Sequence, residues 1–322
     1  MIEELIRKIS VVLCTYNGEK YLAEQLDTIL GQTYPVYELI IQDDCSTDGT
    51  VALLNEYADR NSFIKLFVNK ERKGYSNNFY SAMNLATGDY IAISDQDDIW
   101  EKDKIEQQLQ TIGDAYLCCN MTKPFSVDDS EIYYDLRIPN HGLERLAFYA
   151  VLAGHTMMMK KDLLMYLHYA TSGLAYDHLI AILAEAYDRT VVCEKILTHH
   201  RRHPSASSFS TKKDYSKKLT NMISYFFSSC RSYKRNEELM RDHFVRIHTL
   251  YTRLPLNTSK EKDILKMTYL LSQKRSFLSF WKIGILSVKL REGLFHTKEN
   301  NYFLSVMRAF FNQVIISRYY NY

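Results

Sequence analysis

Residues 38–50 read Glu-Leu-Ile-Ile-Gln-Asp-Asp-Cys-Ser-Thr-Asp-Gly-Thr, an apolar run that stops at paired carboxylates and a Ser-Thr-Asp-Gly cluster. Glu38–Gln42 has the bulky, β-branched character of a buried strand, and the polar cluster after it is the chemistry of a turn into a helix. The same pattern recurs on both sides. Ile9–Cys14 runs into Thr15-Tyr16-Asn17-Gly18, Tyr90–Ser94 runs into Asp95-Gln96-Asp97-Asp98-Ile99-Trp100, and Phe63–Val68 is a further strand-like run. Between the first two strands, Leu22, Leu26, Ile29 and Leu30 share one helical face of Tyr21–Leu30, and Leu54 and Tyr57 mark a similar stripe in Val51–Ala58. Strands alternating with helices predict βαβ units and a parallel sheet. Polar groups then collect at the carboxyl ends of the strands, where open α/β sheets bind ligands.

The chain has 322 residues, 46% of them hydrophobic, enough for about two domains with packed cores. Wholesale disorder and a disulfide miniprotein are excluded. Cysteines 14, 45, 118, 119, 193 and 230 form no CxxC pair and no metal-type spacing with His, which predicts a reduced, cytoplasmic setting without zinc or disulfides. The start, MIEELIRKISVVLC, lacks the order of a signal peptide, and no run of 18 apolar residues marks a membrane span. The net charge of +2 conceals a division. Residues 1–210 carry 19 basic and 30 acidic side chains, net −11, and residues 211–322 carry 21 and 8, net +13. From about 211 aromatic and basic residues dominate while Gly and Pro nearly vanish, so 1–210 reads as one domain and 211–322 as a helical module. Residues 95–210 read as a less regular mixed segment with helical stretches such as Leu143–Leu152.

Several clusters carry chemistry. Tyr16 and Asp44, at adjacent strand ends, could stack on a base and accept its hydrogen bonds, although Asn17-Gly18 also suits a plain turn and Asp48 a helix cap. Asp95, Asp97 and Asp98 repel one another, a crowding that a cation offsets, and oxygen ligands at a strand end suit Mg²⁺ or Mn²⁺ on a diphosphate. Asp177 precedes the apolar run Leu179–Ala186 and reads equally as a helix cap or as a general base. His199-His200-Arg201-Arg202-His203-Pro204-Ser205 follows the strand-like Thr190–Leu197 and reads as a phosphate-binding or a simply solvated basic loop.

In order and spacing, VVLCTYNG, ELIIQDDCSTDGT, KGYSNN, ATGDYIAISDQDDIW, AYDH and HRRH resemble glycosyltransferase family 2, the inverting nucleotide-sugar transferases of GT-A fold, over about residues 9–205. The resemblance implies an α/β, Rossmann-like, mainly parallel sheet flanked by helices, followed here by the helical C-terminal module. It implies that Thr15, Tyr16, Asn17 and Asp44 meet the base, that Lys73 and Asn78 border the nucleotide, and that Asp95 faces ribose or sugar. Asp97 would hold the metal, Mn²⁺ or Mg²⁺, and Arg201 and His203 would contact the diphosphate. Asp177 would be the catalytic base, with Gly154, His155 and Tyr176 near the acceptor. Tyr176 stands where the family usually has Glu, and His200 where it usually has an aromatic. The ISDQDDIW form looks most like bacterial rhamnosyltransferases of polysaccharide assembly, implying L-rhamnose from dTDP-rhamnose transferred to a glycan or lipid-linked acceptor. A UDP-hexose donor and a catalytically inactive sugar-nucleotide-binding subunit are the alternatives. A receiver-like phosphoacceptor fails on the second acidic cluster and on the length.

Phe277–Leu290 and Tyr302–Ile316 set aromatics beside Lys and Arg. Residues 275–322 therefore suit peripheral contact with the inner face of an anionic membrane, or packing on the catalytic domain or in a homodimer. No nucleic-acid module is recognisable.

Overall fold

The structure is a computed structural model, and it describes residues 7–126, 137–169, 173–203, 219–295 and 301–317. Strands β1 (Ile9–Thr15), β2 (Glu38–Asp43), β3 (Ile64–Val68) and β4 (Tyr90–Ser94) pair in parallel in the order β3-β2-β1-β4. These are the four runs read from the sequence, to within a residue at most ends. Helices α1 (Glu19–Leu30), α2 (Thr50–Arg60) and α3 (Tyr75–Met83) make the crossovers.

The sheet then changes character. β5 (Ile99–Trp100), β6 (Leu117–Ser126), β7 (Met157–Lys160) and β8 (Thr190–Arg202) extend it to eight strands in the order β3-β2-β1-β4-β7-β6-β8-β5. β7 runs antiparallel to both β4 and β6, and β5 antiparallel to β8, so the second half is mixed. Two expectations are corrected here. Leu143–Leu152 holds only one helical turn, α5 (Leu143–Leu146). The basic segment His199–Arg202 is the end of strand β8, paired with Ile99–Trp100 and with Lys123–Ser126, not a loop. Pro204 and Ser205 lie outside the described residues.

Period-two alternation sends successive β1 side chains to opposite faces. Ile9, Val11 and Leu13 pack with Leu22, Leu26 and Ile29 of α1, whereas Val12 and Cys14 pack on the other face with Phe79 and Met83 of α3. That second face also receives α6 (Tyr176–Tyr187) and the C-terminal helices: α7 (Leu219–Tyr251), α8 (Ser259–Ser272), α9 (Phe277–Lys289), α10 (Arg291–Leu294) and α11 (Tyr302–Ile315). α4 (Lys104–Ile112) covers the first face through Ile105 and Ile112.

The expected boundary at 210–211 lies outside the described residues. The helices beyond it share one core with the sheet. Phe244 meets Phe148 edge-on at 5.6 Å, the Tyr251 hydroxyl donates to the Leu143 carbonyl at 2.8 Å, and Asn140 Nδ2 donates to the Gly293 carbonyl at 2.7 Å. The shift in composition marks a change of secondary structure, not a gap in packing.

Candidate active site

The loops after β1, β2 and β4 meet at the carboxyl edge of the sheet. Asp43, the last residue of β2, takes the Thr15 hydroxyl at 2.8 Å and the Ser46 N–H at 2.8 Å. Asn17, at φ 48°, accepts the Thr47 N–H at 2.8 Å. The Asp48 carboxylate accepts the Thr50 N–H at 3.0 Å, but the N-cap position of α2 is Gly49 and not Asp48, the cap expected from the sequence. These bonds tie the first two loops together, and they occupy the side chains of Thr15 and Asn17, which were expected to meet a base.

Asp44 is buried and strongly held by its own chain. It accepts the N–H groups of Lys73 at 2.7 Å and Gly74 at 3.0 Å, and Asn69 Nδ2 at 2.9 Å. Gly74, at φ 76°, is in the left-handed region that glycine adopts without strain. Arg72 stacks its guanidinium over the Tyr16 ring at 3.7 Å and approaches Asp44 at 3.9 Å. The 69–74 loop thus covers both groups expected to hold the base. Lys73 directs Nζ to Ser81 at 2.8 Å. Asn78 is buried and bonds the Gln42 carbonyl and Asn69 Nδ2, a link between α3 and β2.

The acidic loop after β4 is anchored from both sides. Gln96 accepts the Tyr16 N–H at 2.9 Å and donates to its carbonyl at 3.2 Å, which couples this loop to the first. A Cβ on Gly18 would lie 2.3 Å from Gln96 Oε1, so the glycine permits the close approach. Asp97 meets His203 Nε2 at 2.9 Å, and Arg201 Nε donates to the Asp97 carbonyl at 2.9 Å. The Arg201 guanidinium also pairs with Glu24 and lies over the rings of Tyr21 and Phe125. The side chain expected on the diphosphate thus also braces the acidic loop.

Asp98, absent from the sequence assignments, is fully buried. Its Oδ1 accepts from the Arg201 N–H at 3.2 Å and lies 3.0 Å from His200 Nδ1, while Oδ2 has no hydrogen bond and faces His155 Nδ1 at 3.6 Å. The His155 and His200 rings stack at 4.8 Å and 6°. Burial disfavours both charged forms, but the charges offset it. Asp98 is held below, and His155 above, its ordinary pKa. This triad spans residues 98, 155 and 200, so no local spacing reveals it. The one signal in the sequence is His200 in an aromatic's place.

The short helical turn Gly154–Thr156 joins this cluster to the base candidate. His155 Nδ1 lies 3.4 Å from Asp95 Oδ2, and the Gly154 N–H bonds the Asp177 carboxylate. Asp177 sits in the first turn of α6 and also accepts the His178 N–H at 2.8 Å. Tyr176, expected near the acceptor, is buried and stacks on Phe79 at 4.2 Å, with its hydroxyl against Gly154. The exposed ring beside it is Tyr75, edge-on at 6.0 Å.

Burial, reinforced by Asp95, pushes the Asp177 pKa up from 3.8 to about 6. Its ionised form is the one disfavoured in the folded state. Its contribution to stability is therefore largest below the ordinary carboxylate pKa and is lost as pH rises through about 6. A base with this pKa gains activity over the same interval. The expected kcat/KM falls about tenfold per pH unit below pH 6. A profile flat from pH 5 to 8 would contradict the role.

The residues fit a divalent cation. Burial, then Asp95 and Asp98, raises the Asp97 pKa despite its bond to His203, and a cation beside it would favour the ionised form. Asp98, His155 and His200 also offer ligand atoms within 4.8 Å of one another. Asp97 with His203 is the less buried of the two groups.

A sheet with a parallel half, carboxylates gathered at its carboxyl edge and a buried aspartate facing them is the architecture of GT-A nucleotide-sugar enzymes. Residues 10–167 match the family described as glycosyl transferase family 2. A putative teichuronic acid biosynthesis glycosyltransferase, TuaG of Bacillus subtilis, is 38% identical over 102 residues, covering 32% of this chain and 40% of the relative. The chain thus matches less than half the length of that relative. S. aureus TarS 1–349 in complex with UDP-GlcNAc superposes with a TM-score of 0.59 at 17% identity, over 97% of this chain and 91% of that one. The mannosyltransferase PcManGT from Pyrobaculum calidifontis, with GDP-Man and Mn²⁺, superposes with a TM-score of 0.52 at 19% identity, over 99% and 88%. Both likenesses are of fold.

Proposed function

We propose that the protein is an inverting glycosyltransferase that moves a sugar from a nucleoside diphosphate donor to a hydroxyl of a glycan or lipid-linked acceptor in cell-surface polysaccharide assembly. One observation carries this reading: the Gly154–Thr156 turn bonds Asp177 on one side and touches Asp95 on the other. The base candidate and a donor-side acid therefore lie close together, as a single displacement requires. The polysaccharide role is supported by the teichuronic acid relative.

Asp177 takes the proton from the acceptor hydroxyl as that oxygen attacks the anomeric carbon, and the bond to the diphosphate breaks with inversion. The N–H groups of Gly154 and His178 hold the carboxylate in place. Asp97 and His203 would hold Mn²⁺ or Mg²⁺, which supplies positive charge to the departing diphosphate. Arg201 and Gln96 keep the acidic loop in register with β1. The 69–74 loop, lying over Tyr16 and Asp44, has to shift for a base to stack there.

The donor proposed from the ISDQDDIW loop is dTDP-rhamnose. The structural neighbours carry UDP-GlcNAc and GDP-Man, so these belong in the same test. In a thermal-shift screen of the three with Mn²⁺, one donor is expected to raise Tm only when the metal is present, because ligand bound to the native state alone adds stability. No shift with any nucleotide sugar would overturn the reading. Nucleoside diphosphate release on adding acceptor separates an enzyme from an inactive binding subunit.

A further inference from the structure

Helices α9 and α11 lie side by side. Trp281 meets Phe310 edge-on at 5.0 Å, a Cβ on Gly284 would lie 2.3 Å from the Phe310 ring, and Gln313 Nε2 donates to the Phe280 carbonyl at 2.8 Å. Each helix buries one face: Ile283, Leu286 and Ser287 on α9, and Ala309, Asn312 and Val314 on α11. What remains outside is unusual. Phe277, Leu278, Trp281 and Ile285 follow one another down the outer face of α9, and Tyr302, Phe303, Leu304 and Met307 occupy the exposed turns of α11. Phe277 is 76% exposed and Phe303 68%, so these are whole side chains in solvent rather than edges of a core. Large apolar groups clustered on a surface mark an interaction site.

The chemistry around the patch selects its partner. Residues 274–317 contain seven Lys and Arg but only two acids, Glu292 and Glu299. Lys274, Lys282 and Arg308 are exposed on the same two helices or at their ends, whereas Lys289 pairs with Asp263 of α8. A two-fold dimer through this face would set the patch against its own copy and bring like charges together. Anionic lipid headgroups would instead pair with the basic rim while the rings enter the acyl boundary. Among the described residues no helix is long and apolar enough to cross a membrane, so the arrangement is one that lies in the interface plane.

We infer that the α9–α11 face, through Phe277, Leu278, Trp281, Ile285, Phe303 and Met307, is a docking surface for an anionic lipid bilayer. The face shares no residue with the acidic edge of the sheet, and binding to vesicles needs neither sugar donor nor metal. A failure here leaves the transferase reading untouched, and the reverse also holds.

Trp281 is a built-in probe, since the chain's other tryptophan, Trp100, is buried. The full-length protein is titrated with vesicles of phosphatidylcholine alone and with vesicles containing 30 mol% (about a third) phosphatidylglycerol. The expected result is a blue shift of Trp281 emission and co-sedimentation with the anionic vesicles, about tenfold or more weaker with phosphatidylcholine alone and weakened by salt. Ile285→Glu and Phe303→Glu are expected to lower vesicle affinity at least about tenfold. Both positions are exposed, and unchanged melting curves show that the fold survives. Absence of binding to the anionic vesicles at low salt overturns the proposal. So does wild-type binding by both Glu variants. A dimer in sedimentation velocity that Ile285→Glu dissociates, without vesicle binding by wild type, assigns the face to a second copy instead.

Discussion

Replacing Asp177 by Asn is expected to lower turnover by about 10³-fold while donor affinity stays within about twofold. The carboxamide keeps the size of the side chain and an oxygen to accept from the Gly154 and His178 N–H groups, so the geometry of the α6 start survives. What it loses is the ability to take a proton. The same variant carries a second expected effect of opposite sign. Burial holds the Asp177 pKa at about 6 against an ordinary 3.8, so at pH 8 the folded state contains a disfavoured charge that the unfolded state does not. Two pKa units correspond to about 3 kcal/mol, and the weaker hydrogen bonds to an amide offset part of it. Asp177→Asn should therefore melt higher than wild type at pH 8, with the difference shrinking toward pH 5. Loss of activity without this pH-dependent gain would mean that the site is less buried than the structure has it. Full activity would remove Asp177 as the base.

Asp97→Ala is expected to abolish the metal-dependent part of donor binding. At a donor concentration of about 100 Kd, the wild type gains about 2.7 kcal/mol of apparent stability, and the variant should lose the share of this that requires Mn²⁺. Without metal the variant should be no less stable than wild type, because it removes a carboxylate whose pKa is raised by burial and by the neighbouring Asp95 and Asp98. Asp98 provides the contrast. It is fully buried between His155, His200 and the Arg201 N–H, and Asp98→Ala would leave those groups without their counter-charge, costing about 3–5 kcal/mol of stability with or without metal. If Asp97→Ala instead keeps its metal dependence and Asp98→Asn loses it, the ion belongs to Asp98, His155 and His200.

These two aspartates show what local sequence could resolve. Three acids in four positions were visible as a cluster, but which of them opens to the site depends on which side of the backbone each occupies after the strand ends. Asp97 is turned toward His203 and Asp98 toward the interior, because β8 delivers His200, Arg201 and His203 from about a hundred residues away. The same reason explains Arg201 and Asn78. Each carries the right chemistry in the right order along the chain, yet the structure satisfies one with Glu24 and the Asp97 carbonyl, and the other with Gln42 and Asn69.

The sequence by itself determined the four parallel strands, their crossover helices and the edge where polar groups gather, since period-two and period-3.6 patterns follow from backbone geometry within a short window. It also determined the charge division of the chain and carried the resemblance to glycosyl transferase family 2 over its first half. Only the tertiary structure decided that the C-terminal helices complete the core of the sheet while leaving a basic-rimmed apolar face outside. It alone joined Asp95 and Asp177 through one turn, and buried Asp98 beneath two imidazoles. Those outcomes depend on contacts between residues distant in the chain, and the balance between burial and charge that sets each group's role exists only once the contacts have formed.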